Sequence, residues 1–80
     1  MVDISRGQAA KEILDNEIFA EAFVAIRNKI FEEWANSTPE EAPARQDLYL
    51  MSKLLTKLHQ QLRAVMETGQ IAEFNLKSTS

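Results

Sequence analysis

Between residues 48 and 65 the apolar side chains return at alternating spacings of three and four: Leu48, Met51, Leu55, Leu58, Leu62 and Val65. That rhythm is the a/d seam of an α-helix packed at a small angle on another helix. Leu50, Leu54 and Met66 flank the seam and widen it. An earlier segment has the same logic. Stepping 100° per residue sets Phe19, Phe23, Ile26, Ile30 and Trp34 on one stripe, with Ala20, Val24 and Phe31 on a second stripe beside it. The two stripes together span an arc of about 160°, against the roughly 100° of an ordinary surface helix.

The residues between these runs predict where the helices stop. Residues 5–15 are good helix formers apart from Gly7. Asp15-Asn16 then interrupts and predicts a bend, with Asn16 as N-cap of a second helix over 17–36 that opens on the acid Glu17. Asn36-Ser37-Thr38-Pro39 ends that helix, and Thr38-Pro39-Glu40-Glu41 has the form of a capping box with proline at the first helical position. Pro43 limits this element to one turn before a third helix over 44–68, for which Gly69 is the expected C′ residue. Beyond it, Ile71, Phe74 and Leu76 are read as an arm, 70–80, that packs on a neighbour. The tips, 1–4 and 77–80, are expected to fray. The fold class is all-α: one domain, 1–80, built as a long antiparallel helical hairpin with a short N-terminal helix.

Size turns this pattern into an argument about association. A chain of 80 residues sits where a single core only just offsets chain entropy, and disulfides, metals or oligomerisation usually help. Cysteine is absent and histidine occurs once, so disulfides and thiolate metal sites are excluded and no cofactor is expected. Oligomerisation remains, and a hydrophobic content of 45% suits it. Each long helix carries apolar surface for two neighbours, whereas a hairpin supplies one. The expected partner is a second copy, giving a homodimer or higher oligomer of four-helix type. Phe19, Phe23, Phe31, Leu50, Leu54 and Leu58 are the candidate interface. The alternative is cover in cis, by the short first helix and the Ile71–Leu76 arm.

Charge adds little to the driving force but narrows the partners. The net charge of −3 argues against a dedicated nucleic-acid binder. Residues 1–41 hold nine acids and four bases, and residues 42–80 hold three and five, so the two halves attract. Neither a signal-peptide pattern nor an apolar run long enough to span a bilayer is evident. A cytoplasmic location without membrane contact is expected.

Catalytic chemistry is not expected. No nucleophile, base and orienting group can be assembled around the lone His59, which reads as a boundary residue with one ring face packed. Glu32-Glu33 and Glu40-Glu41 read as solvating and capping acids, and Gly7 and Gly69 form no phosphate-cradling loop. Two polar features stand out. Arg27 falls near the centre of the second helix's apolar arc, where it needs a partner: Glu17 or Asp47, the Trp34 ring, or an anion at a subunit interface. Along the back of the third helix, Tyr49, Lys53, Lys57, Gln60 and Arg63 form a basic strip with one aromatic. The candidate anion or partner contacts are therefore Arg27, Trp34, Tyr49, Lys53, Lys57 and Arg63.

Ile13-Leu14-Asp15-Asn16-Glu17, Glu21-Ala22-Phe23 and Trp34 are followed in order by Leu48-Tyr49-Leu50, Lys53-Leu54-Leu55, Leu62-Arg63, Val65 and Glu67-Thr68-Gly69. This succession resembles a group of small helical proteins encoded by tailed bacteriophages and prophages, across roughly residues 8–76. The shared positions are turns and core positions, so the resemblance implies a fold and a phage setting, with a role in virion assembly or host takeover, and brings no catalytic residues. Members often have proline where Glu17 stands here. The expectation is a non-catalytic protein acting through self-association and contact with another phage or host protein in the host cytoplasm. The alternative is a counter-defence protein that sequesters a nucleotide or other anion between subunits.

Overall fold

The computed structural model describes residues 2–79; Met1 and Ser80, the outermost residues of the two tips expected to fray, lie outside them. The fold is all-α. Three helices follow in order: α1 (Val2–Asp15), α2 (Glu17–Ala35) and α3 (Ala42–Thr79), with a 3₁₀ turn at Pro39–Glu41 before α3. Among the described residues there is no strand.

A single residue separates α1 from α2. Asn16 takes an extended backbone conformation, φ −67° and ψ 124°, and its side-chain oxygen accepts the Phe19 N–H at 2.9 Å. The cap satisfies an amide that the start of a helix otherwise leaves without a partner. At the far end of α2, the Ser37 hydroxyl donates to the Trp34 carbonyl at 2.6 Å. The expected reciprocal capping box at Thr38 does not form. The Glu41 N–H it would use is taken by the Thr38 carbonyl at 2.9 Å, and the Thr38 hydroxyl donates to the Glu41 carboxylate instead. The 3₁₀ turn runs directly into α3, and Pro43 lies in the first turn, where a missing N–H is harmless.

α3 departs most from expectation. It starts at Ala42 rather than 44 and continues through Gly69 to Thr79, so the arm expected over 70–80 is helical where it is described. Gly69 does not serve as a C′ residue, since no glycine here has a positive φ. The reason lies across the helix pair. A Cβ on Gly69 would stand 2.7 Å from both the Gly7 Cα and the Asp3 carbonyl oxygen, and a Cβ on Gly7 would meet the Gly69 Cα at 2.7 Å. Both glycines are buried at this crossing, with Ala10 one turn further along. Backbone-to-backbone approach requires the bare Cα and outweighs the roughly 1 kcal/mol that a helical glycine costs. Val2–Ile4, expected to fray, are the opening of α1.

Contacts along the molecule pair early residues with late ones: Gly7 with Gly69, Phe23 with His59, Trp34 with Arg45. α1 and α2 therefore lie along α3 and run against its direction. The result is long and thin, 62 × 22 × 15 Å with a radius of gyration of 17.6 Å, where a compact domain of this length would have about 12 Å. The core is correspondingly slight. Ala10 and Leu48 are the buried apolar residues, and no side chain among those described is fully enclosed. Ile4, Leu14, Phe23, Ile30, Leu55 and Leu62 form a half-buried seam between the helices.

Ion pairs contribute little to this pairing. Lys11–Asp15, Arg63–Glu67 and Glu73–Lys77 each span one turn of a single exposed helix surface. Hydrogen bonding to the Asp15 carboxylate, with its charge, raises the Lys11 pKa above the usual lysine value. That pair favours the fold up to the ordinary lysine range, and the effect fades as pH rises through it.

Candidate protein-interaction faces

The seam divides the molecule into two unlike faces. At 100° per residue, Tyr49, Ser52 and Thr56 fall on one side of the Leu48–Leu55 line of α3, and Leu50, Leu54 and Leu58 on the other. α2 divides the same way, with Val24, Arg27 and Phe31 on the first side and Ile26 on the second.

The second face is aliphatic. Leu54 is 66% exposed, and Leu50, Met51, Leu58 and Ile26 each keep about half of their surface in contact with solvent. Asp47 lies one turn before Leu50 and Met51, and Lys57 one turn after Leu54, so charged groups border the row. Of the six residues expected to form one interface, Leu50, Leu54 and Leu58 belong here. The others do not join them. Phe23 is half-buried against the His59 ring, with centroids 5.0 Å apart, so it belongs to the chain's own seam. Phe19 is half-buried beside it. Phe31, 67% exposed, stands on the opposite face. Sequence periodicity set these residues on wide arcs but could not say which flank the partner helix would occupy.

The first face is aromatic and cationic. A cleft of about 530 Å³ has Phe19, Phe23, Val24 and Leu55 in its wall and Arg27 and Arg63 at its edge. It adjoins a second cleft of about 280 Å³ lined by Ile30, Phe31, Trp34 and Tyr49, and Arg27 and Ser52 border both. No carboxylate lines either one. The Arg45 guanidinium sits 4.3 Å from the centre of the Trp34 ring, and the Lys53 amine 5.4 Å from that of Tyr49.

The surroundings of the basic residues differ from those the sequence suggests. Arg27 is exposed instead of buried in an apolar arc, and neither Glu17, Asp47 nor Trp34 is its partner. Helical side chains lean toward the N-terminus, which carries Arg27 away from Trp34 and toward Ala20 and Phe23. The cation that stacks on Trp34 is Arg45, in the first turns of α3 and brought opposite the end of α2 by the reversal of direction. Its Nε is buried without a hydrogen-bond partner. Sequence reading passed over Arg45 because it lies outside any apolar stripe. The signal that could have found it is the turn itself: a reversal soon after Trp34 brings a cation early in the next helix back opposite the indole. Lys57 is exposed, and Arg63 reaches Glu67 at 3.9 Å, so the basic strip divides between the cleft edge and open solvent.

Glu32, Glu33, Glu41 and Asp47 border a hollow near the turn. Among the described residues, no group of three or more acids or histidines is placed to hold a metal ion, and no helix is long and apolar enough to cross a membrane. The chain matches no protein-family model, no curated protein and no solved structure.

Proposed function

We propose that this chain is a non-catalytic interaction protein whose working unit is an antiparallel helical hairpin, closed by a second copy into a four-helix core. The observation that carries this reading is the exposed aliphatic row of Leu50, Met51, Leu54, Leu58 and Ile26. The accessible surface of 6304 Å² exceeds the roughly 4,900 Å² of a compact monomer of this mass by about 1,400 Å². A standard interface takes about 800 Å² from each partner. The excess is therefore large enough for one self-association face and leaves surface for another protein.

Energetics set the expected strength. Covering the remaining exposed surface of five aliphatic side chains on each of two protomers contributes on the order of 10 kcal/mol. Association costs about 4–15 kcal/mol before any binding is seen. At the low end of that cost about 6 kcal/mol remains, which corresponds to a dimer with a dissociation constant of tens of micromolar. The test is the double variant Leu54→Glu, Leu58→Glu, which is expected to sediment as a 9.1 kDa monomer with its helical circular dichroism retained. An unchanged mass for that variant would reject the aliphatic face as the interface.

The setting we propose, a tailed-phage or prophage protein serving virion assembly or host takeover in the host cytoplasm, rests on the sequence resemblance alone. A second reading, capture of a nucleotide or other anion, is favoured by Arg27 at the edge of two clefts without a carboxylate. It is disfavoured by Trp34 and Tyr49, each of which already carries a cation over one ring face that a base would use. Thermal-shift measurements against mono-, di- and cyclic nucleotides decide it, since binding must raise the melting temperature once ligand exceeds its dissociation constant.

A further inference from the structure

The aliphatic face accounts for one partner, and the opposite face is built of different chemistry. The two clefts there share Arg27 and Ser52 and so form one groove between α2 and α3. From Phe19 to Trp34 it extends about 22 Å at 1.5 Å per helical residue. Its apolar lining is Phe19, Phe23, Val24 and Leu55 at one end and Ile30 and Phe31 at the other, with Ser52, Thr56 and Gln60 between them on the α3 side. The charged groups that line it are Arg27 and Arg63, and the two rings toward the turn carry Arg45 and Lys53. His59 also lines it.

We infer that this groove receives an acidic, amphipathic α-helix of a partner protein. The length accommodates about four helical turns. That apolar lining suits anchors at i, i+3, i+4 and i+7, as in other helix-in-groove recognition. The cations along the edge select a helix whose flanks carry Asp or Glu, because charge complementarity sets specificity and register. Nucleic acid fits less well. The two larger rings each have one face occupied by a cation, and the protein's net charge is −3.

The inference rests on reading the chain as an interaction protein but not on the self-association face, and its test separates the two. The full-length protein is panned against a displayed library of helix-patterned peptides about 16 residues long. Enriched clones are expected to combine large apolar residues at helical spacing with Asp or Glu on the flanks. A synthetic peptide of the leading sequence, labelled for fluorescence anisotropy, is expected to bind saturably and more weakly as salt rises. The Arg27→Glu, Arg63→Glu double variant is expected to weaken that binding about tenfold or more, with its helical spectrum and sedimentation mass unchanged. Both side chains are exposed, and Arg27→Gln, with a loss of about threefold, serves if the double variant misfolds. No enrichment, clones lacking acids, or equal affinity for the variants would overturn the proposal. Displacement of the peptide by a thymidine oligonucleotide would also overturn it and assign the groove to nucleic acid. Peptide binding by a strictly monomeric protein would reject only the dimer.

Discussion

At Gly7 and Gly69, two opposing effects can be weighed directly. Alanine at either position gains about 1 kcal/mol of helix propensity. It also places a methyl group 2.7 Å from backbone atoms of the facing helix, where nothing flexible can give way, and overpacking of this kind costs about 1–3 kcal/mol. The clash wins. Gly7→Ala and Gly69→Ala are each expected to lower the melting temperature followed by circular dichroism, whereas a rise would show that the crossing is looser than described. Asn16→Ala removes the bond to the Phe19 amide and is expected to cost about 1 kcal/mol in urea unfolding. A loss near zero would mean that the cap is idle. Asn16 was legible in the sequence as a cap, but Gly69 was not legible as a crossing point. A glycine late in a helical run signals a C′ residue and a backbone contact equally well, and only the position of Gly7 on the facing helix decides between them.

Among the elements, α3 carries the fold. It is the surface on which both α1 and α2 pack, and its continuity past Gly69 is what gives α1 a partner. The periodicity of Leu48, Met51, Leu55, Leu58, Leu62 and Val65 makes the helix readable, but its last ten residues read as an arm, because beyond Gly69 the apolar residues Ile71, Phe74 and Leu76 are too few to define a helical face. They are in fact 62%, 70% and 50% exposed, so burial offered no signal to read. Amide hydrogen exchange tests the continuity. Protection is expected to run from the 48–62 stretch through Met66, Gly69 and Ala72, because those amides lie under α1. Fast exchange beginning at Gly69 would restore the arm. The candidate site was only partly legible for a similar reason. Arc width announced surplus apolar surface, but the division of that surface into an aliphatic face and a cationic, aromatic one depends on which flank each helix turns to its neighbour.

For the whole molecule, the deciding quantity is how little it encloses. A chain with no fully buried side chain among those described, and with Leu54, Phe31 and Phe74 two-thirds exposed or more, has not finished hiding its apolar surface. The surface ion pairs are too exposed to make up the deficit. We propose that another chain covers part of it, and a second copy is always available to do so. Sedimentation velocity of the unmodified protein, over roughly 1–100 µM to bracket the expected affinity, tests this most directly. The account predicts a concentration-dependent shift toward a species of twice the 9.1 kDa chain or larger. A single 9.1 kDa species across that whole range would contradict it.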